Sequence, residues 1–393
     1  MIKAVKIRLY PTFKQKELLN SHFNGCRFIY NNALNYKMML YKEYNIKKSK
    51  IDIINELPEV KEEFSWLKNV KAEVLQNVID VLDKAFQNFF SGNGYPKFKN
   101  KRAKQSFTST QNFKVLDNTN KLVFLKNKIK FKCSERDVVL LRNTKIKKIT
   151  YSKDKIGNYF ASVLIEANIE NTYNQSTNEV GIDLGIKSFL TTSEGEKIDN
   201  PKFLKTSEIK LKKVQRNLSR KVKGSKNFNK CRVKLAKLHN KIQNQREYFL
   251  HKVSNKLISE NHTIFCETLK VKNMLKNHKL AKSISDVSWS KFITILEYKS
   301  GWYGRNLIKI GIFEPSSKTC NNCGHKKEEL LLSERIFKCE KCSHNEDRDV
   351  NAAKNIKRIG RNYPKFKLVE WNVGLAMKQE ENLSDFIEFD KNS

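Results

Sequence analysis

Two Cys-x-x-Cys pairs constrain this chain more tightly than any other feature. Cys320 and Cys323 form the first, Cys339 and Cys342 the second, and fifteen residues separate them. That spacing predicts a four-cysteine zinc ribbon. Two thiolates three residues apart can face one tetrahedral ion from a tight knuckle, and Gly324 stands where the chain must turn. Four thiolates close the coordination sphere, so the predicted Zn²⁺ is a single structural ion with no position left for water. His325 and His344 lie close by but are not required. Cys26, Cys133, Cys231 and Cys266 read as ordinary buried or partly buried residues. Eight cysteines in 393 residues do not make a disulfide scaffold. Paired Cys-x-x-Cys motifs point instead to a reducing compartment, the cytoplasm, or the nucleus in a eukaryotic host.

Charge narrows the partners. The chain has 77 Lys+Arg against 41 Asp+Glu, a formal net charge of +36. Self-repulsion on that scale destabilises a compact state unless a polyanion neutralises it, which points first to nucleic acid and second to an anionic membrane. No apolar run is long enough to span a bilayer. The opening Met1–Lys6 has no apolar h-region of a signal peptide. With 24 Phe and 13 Tyr, the chain has the apolar material for a packed core. Its length predicts roughly two or three domains.

Periodicity organises the rest. Residues 2–10 alternate as a strand, and Pro11 ends it. From Thr12 to about Tyr44, Leu18, Leu19, Phe23, Phe28, Ile29, Ala33, Leu34, Met38 and Met39 recur at helical spacing. Residues 45–70 read as loop with short helix, and 71–90 as a second helix. Ser91–Pro96 breaks it with Gly and Pro. A basic, aromatic-interleaved loop follows, in which Tyr95, Lys97, Phe98, Lys99, Lys101 and Arg102 offer phosphate contacts and stacking faces. Residues 107–170 read as strands, with a hairpin turn at 154–158. A polar stretch at 171–178 marks a domain boundary. Residues 205–252 form a long helical stretch broken near Gly224-Ser225, with 16 Lys+Arg against 2 Glu. One side can pack while Lys212, Lys213, Arg216, Arg220, Lys221 and Lys223 present a cationic face to a phosphate backbone. After Met377 the sign reverses, and the acidic tail is expected to fray.

Three carboxylates stand out because apolar strands carry them. Glu179–Gly185 reads as a buried strand bearing Asp183, and His262–Leu269 as another ending in Glu267. A buried ionised carboxylate is costly unless something pairs with it, and a cation is one such partner. Gly185 leaves room for a phosphate to approach. The third segment, Asp347–Ile356, follows the ribbon. Its small Ala352 and Ala353 let a helix lie close to a sheet. Asp347 and Asp349 are alternate residues that point the same way in an extended segment, so either can supply the third acid. Three converging carboxylates can hold two Mg²⁺ ions about 3.5–4 Å apart.

These motifs, in this order, resemble the TnpB family of transposon-encoded RNA-guided endonucleases, relatives of type V CRISPR effectors. The resemblance rests on Lys6–Thr12, Cys26–Asn31, Tyr95–Lys99, Gly181–Gly185, Pro315–Cys320, Asp347–Ala353 and Val373–Lys378. It implies a multidomain α+β/α/β fold. An N-terminal β-barrel-like (wedge-like) domain would comprise 1–11 and 106–175, with a helical recognition lobe, 12–105, inserted in it. An RNase H-like RuvC nuclease domain would cover 176–376, with a basic helical insertion at 203–252 and the zinc ribbon at 316–346. Residues 377–393 would be the flexible tail. The resemblance implies Asp183, Glu267 and Asp349 as catalytic, Mg²⁺-binding acids. It selects Asp349 because relatives with one acid keep the one before x-Asn-Ala-Ala. An acid often follows the glutamate in the family; here Thr268 does. The implied partners are a guide RNA and double-stranded target DNA beside a short adjacent motif, with no membrane and no small-molecule substrate. The implied activity is Mg²⁺-dependent DNA cleavage; a transposase that breaks and joins strands, or a guided repressor that does not cut, are the alternatives.

Overall fold

The computed structural model describes residues 2–362 except 102–103, 112, 117–118, 168–175, 313 and 332–333, and for Lys272 the backbone alone. Arg102, Val373–Lys378 and the acidic tail therefore lie outside the described residues. The chain divides into two compact units, described here by residues 2–167 and 176–362.

The first unit begins with β1 (Ile2–Tyr10). Val5, Ile7 and Leu9 are buried in strict alternation, the period of a half-buried strand. Thr12 and Gln15 form a capping box that starts α1 (Phe13–Tyr44), and Asn45 closes it in the left-handed conformation. Next come α2 (Lys50–Glu63), a 3₁₀ turn at Ser65–Asn69, and α3 (Ala72–Phe90). The stretch expected to be mostly loop thus holds a 14-residue helix, started by a second capping box at Ser49 and Asp52 and carrying Pro58 within it. The strands β2 (Gln105–Ser109), β3 (Phe113–Leu116), β4 (Lys121–Phe124) and β5 (Asn127–Lys132) follow. Helix α4 (Glu135–Arg142), capped by Ser134, interrupts the expected run of strands before β6 (Lys145–Lys153) and β7 (Tyr159–Glu166). The seven strands are antiparallel neighbours in the order β2-β6-β7-β1-β5-β4-β3. The sheet is a half-barrel: β2 and β3 end the order and do not pair with each other.

The second unit opens with β8 (Glu179–Leu184), β9 (Ser188–Thr192) and β10 (Lys197–Asp199), an antiparallel meander. Helices α5 (Phe203–Ser219) and α6 (Lys226–Glu260) form a hairpin. Gly224, at φ +90°, makes the turn, and Ser225 caps α6. Strand β11 (Thr263–Glu267) then enters the sheet parallel to β8. After α7 (Val271–Met274), α8 (His278–Val287) and α9 (Trp289–Trp302), β12 (Asn306–Ile310) adds parallel to β11. The five-stranded order is β10-β9-β8-β11-β12. A small hairpin, β13 (Ile336–Lys338) with β14 (Asn345–Asp347), leads into α10 (Arg348–Asn362).

The sheet's two faces are sorted by residue parity. Val180, Ile182, Ile264 and Cys266 face a core shared with α6 and α9, through Leu250, Val253, Leu257, Phe292 and Leu296. On the other face, Phe265 and Ile310 pack against Ile356 of α10. Asp286 anchors the base of the α5–α6 hairpin. Its carboxylate accepts the Leu204 N–H at 3.0 Å and pairs with Arg246 at 2.7 Å. It stands in for the side-chain cap that α5 lacks.

Helix α10 lies unusually close to the sheet. A Cβ added to Gly181 would sit 2.1 Å from the Ala353 carbonyl oxygen, and one added to Gly360 would sit 2.3 Å from the Phe265 ring. Gly185 is explained the same way. Its Cβ would lie 2.8 Å from the Ser188 carbonyl oxygen, so the turn itself requires glycine. Gly181→Ala is expected to destabilise the protein by about 3 kcal/mol or more, because backbone cannot yield as a side chain does. Gly94, with nothing near its added Cβ, is the control. Gly94→Ala should stay within about 0.5 kcal/mol in urea unfolding.

Candidate nuclease site and zinc ribbon

Parity also places the carboxylates. Ile182 and Cys266 are paired in the parallel register, so Asp183 and Glu267 follow side by side at the carboxyl ends of β8 and β11. They share the parity of Gly181 and Phe265 and so project toward α10. Asp349 lies in the first turn of that helix. All three acids keep partial exposure, as groups that must meet a ligand require.

Their electrostatics report the crowding. Burial, then the charges of Glu267 and Asp349, push the Asp183 carboxyl up to about 8; Arg348 opposes them. Burial also raises Glu267, against a hydrogen bond from the Ser316 hydroxyl to its Oε1. Asp347 is placed differently. Lys197 donates to its Oδ2 at 2.6 Å, and its Oδ1 accepts the N–H groups of Asp349 and Val350 at 3.1 and 3.2 Å. Although burial opposes it, these partners hold Asp347 below the usual carboxylate range. Asp347 thus starts the helix, whereas the charge of Asp349 acts on Asp183. Thr268, where the family often has an acid, donates to the Ile310 carbonyl at 2.7 Å and ties the ends of β11 and β12 together.

The ribbon gathers its four thiols. The sulfur atoms of Cys320, Cys323, Cys339 and Cys342 all lie within 4.8 Å of one another. Cys323 and Cys339 are 3.5 Å apart, and Cys320 and Cys342 are 3.7 Å apart. Tetrahedral zinc with Zn–S bonds of about 2.3 Å needs sulfurs about 3.8 Å apart, so the donor set fits the metal. The two knuckles repeat one design. Cys320 N–H donates to His325 O and Cys339 N–H to His344 O, each at 2.8 Å. Gly324 and Ser343 each turn in the left-handed region. The backbone N–H of His344, first among the causes, lowers the Cys342 thiol to about 6 and favours the thiolate a metal needs.

Among the described residues, only this quartet brings three or more donor atoms within 4.8 Å. The carboxylates are spread more widely. Carboxylate oxygens are hard donors, the kind that divalent cations such as Mg²⁺ prefer.

The expected nucleic-acid contacts fall in two groups, one in each unit. Phe98 is half-exposed, and Lys97 and Lys101 are exposed. Tyr95 packs edge-on against Phe86 and Phe89. Lys99 is held by Asn31 through its backbone, and its ammonium sits 3.8 Å from the centre of the Tyr30 ring. On α5, Lys212, Lys213, Arg216 and Arg220 line a shallow groove of about 410 Å³. Lys221 and Lys223, exposed, continue into the turn. Lys212 also pairs with Glu208 at 2.8 Å.

Relatives decide the family. The chain is 38% identical over 365 residues to the Streptomyces pristinaespiralis protein named "Putative RNA-guided DNA endonuclease", covering 91% of this chain and 89% of that one. It is 30% identical over 380 residues to the corresponding InsQ protein of Escherichia coli K12, covering 91% and 92%. Residues 162–278 match the OrfB_IS605 family, described as "Probable transposase". The chain belongs to the TnpB (OrfB) family. Two more family models match, a Cas12f1-like TNB domain at 289–356 and a "Helix-turn-helix domain" at 1–47. In this TnpB chain the latter residues form β1 and one continuous 32-residue helix. The fold resembles the protein in the "Cryo-EM structure of the Cas12f1-sgRNA-target DNA complex", with TM-score 0.55 and 16% identity, covering 91% of this chain and 98% of that one. Among the described residues no helix is long and apolar enough to cross a membrane.

Reasoning from sequence missed Ser316, which touches Glu267, and the roles of Asn351 and Asn355. Both asparagines are fully buried on α10 and bond the backbone that enters the ribbon. The available signal was two asparagines four residues apart on a face that also carries Ala352 and Ile356.

Two outcomes are expected here. With its carboxyl raised, Asp183 contributes stability to the metal-free protein that is full below about pH 4 and is lost as pH rises through about 8. Asp183→Asn should flatten that loss and raise the metal-free melting temperature at pH 8 by at least about 2 °C. Cys320→Ser should lower zinc content and melting temperature together, read by elemental analysis and calorimetry. Unchanged zinc would exclude the quartet as its site.

Proposed function

We propose that this chain is an RNA-guided DNA endonuclease whose second unit is an RNase H-like, RuvC-type nuclease. The observation that carries this reading is the placement of Asp183 and Glu267 side by side on adjacent parallel strands, facing Asp349 on α10. The named activity of the 38%-identical relative supports it.

In this reading the three carboxylates hold Mg²⁺, and Zn²⁺ in the ribbon is structural. Bound divalent ions would activate water and stabilise the leaving oxygen of a phosphodiester. The chain's own residues supply the rest. The sheet fixes the backbone from which Asp183 and Glu267 project, which limits the reorganisation they need. The α5 cations and the basic loop after Tyr95 grip phosphate backbones of guide RNA and DNA, and base pairing with the guide reads sequence. Residues 203–252 act as a basic insertion in the nuclease unit, and 2–11 and 106–167 as a wedge around the helices between them. The setting is cytoplasmic, and the target lies beside a short adjacent motif.

The test uses protein expressed with its native flanking DNA. Bound RNA is sequenced, and a library matching that RNA is challenged with Mg²⁺. Guided cutting is expected. Asp183→Ala and Asp349→Ala should each reduce cutting by at least about 100-fold while leaving RNA and DNA binding intact. Asp347→Ala should reduce cutting less and lower stability by about 1 kcal/mol through its lost helix-start bonds. A wild-type protein that binds RNA and does not cut would make it a guided repressor. Strand joining without RNA would make it a transposase.

A further inference from the structure

The sequence Pro315–Asn321 links the two metal-binding regions of the second unit. Ser316 is buried, and its hydroxyl donates to Glu267 Oε1. Its carbonyl accepts the Asn355 side-chain amide at 2.9 Å, and the same amide reaches the Thr319 carbonyl at 2.6 Å. Asn351 also donates to Thr319 O, at 2.8 Å. The Oδ1 of Asn351 accepts the N–H of Asn321, inside the first zinc knuckle, at 2.9 Å. Thr319 closes the turn by donating to Pro315 O at 2.7 Å.

We infer that Ser316 is a positioning residue for Glu267, and that Asn351 and Asn355 hold it there by clamping the turn that enters the ribbon to α10. The inference rests on the nuclease reading of the carboxylates. A glutamate at a strand end has three side-chain torsions to fix. A buried hydroxyl bound to Oε1 fixes them and leaves Oε2 for a cation. The hydroxyl is itself placed by its own backbone, which the Asn355 amide holds to the helix that carries Asp349, while the Asn351 amide holds Thr319 in the same turn. A carboxylate ligand oriented by an outer hydrogen bond binds metal more tightly than a mobile one, and losing such a partner typically costs about 10–100-fold in affinity or activity. The arrangement also makes the zinc knuckle part of the support for Glu267, because Asn351 holds Asn321 and Thr319 together.

The experiment measures Mn²⁺ binding by electron paramagnetic resonance on the full chain with its RNA, alongside cleavage rate and zinc content. Ser316→Ala is expected to weaken Mn²⁺ binding and slow cleavage about 10-fold or more, with zinc content and melting temperature unchanged. Ser316→Thr, which keeps the hydroxyl, should recover most of both. Asn355→Ala should shift Mn²⁺ binding in the same direction as Ser316→Ala. Wild-type Mn²⁺ affinity and cutting in Ser316→Ala would overturn the inference. So would loss of zinc or of the melting transition in that variant, which would make the hydroxyl structural. A wild-type protein that neither binds Mn²⁺ at Asp183 nor cuts would instead overturn the nuclease reading.

Discussion

The close approach of α10 to the sheet is the contact on which the site depends. Gly181 and Gly360 leave the space that Ala353 and Phe265 fill. Helix and sheet packed at an ordinary spacing would hold Asp349 farther from Asp183 and Glu267. The same proximity brings Asn351 and Asn355 within reach of the turn that enters the ribbon. Three small residues thus set the distances among the carboxylates, the helix and the zinc knuckle. None of the three carries a reactive group.

The charge distribution has two scales, and they oppose each other. Over the whole chain an excess of +36 attracts any polyanion. At the carboxylate site, Glu267 and Asp349 repel the Asp183 charge strongly enough, with burial, to keep its proton on near neutral pH. A phosphodiester approaching that site meets like charge. At physiological ionic strength the Debye length is about 8 Å, so distant lysines cannot offset carboxylates a few ångströms away. Binding of nucleic acid and occupancy of the site are therefore separable. In the proposed reading, the cationic surfaces would hold RNA or DNA without metal, whereas a scissile phosphate would enter once cations neutralise the acids.

What could be read from the sequence was mostly local. Alternation gave β1, helical spacing gave α1 and α3, and thiol spacing anticipated the cluster of four sulfurs. Helix α4 escaped notice, and α2 was expected only as short helix within loop, because few of their residues are buried. Only Ile53 and Leu57 are buried in α2, and Val138 and Leu141 in α4, so their signals were the Ser49 and Ser134 caps. The turn's own need for Gly185 was hidden because its constraint is a carbonyl three residues away, visible only once the turn is built. Ser316, Asn351 and Asn355 were hidden for a related reason. Their partners lie 30 to 49 residues away in sequence, and no periodicity encodes a bond across that distance. The order of the strands was equally non-local: a helical hairpin intervenes between β9–β10 and β11, which pairs with β8.

The hairpin shows how one sequence pattern can serve two ends. Helix α6 is 35 residues long, about 50 Å at 1.5 Å per residue. Its second half supplies Leu250, Val253, Leu257 and Ile258 to the core beneath the carboxylate sheet. Its first half buries only Ile242 and pairs with α5. A cationic helix standing free would bend and fray under its own repulsion. Here the core holds one end of α6, and Asp286 ties the start of α5 to Arg246 on the same helix. The exposed row from Lys212 to Arg220 is therefore held rigidly with respect to the sheet that bears Asp183 and Glu267. A phosphate backbone lying along α5 would therefore be held in a fixed register relative to that sheet. That rigidity comes from the apolar core and the Asp286–Arg246 pair together, and without them the cations would attract nucleic acid without orienting it.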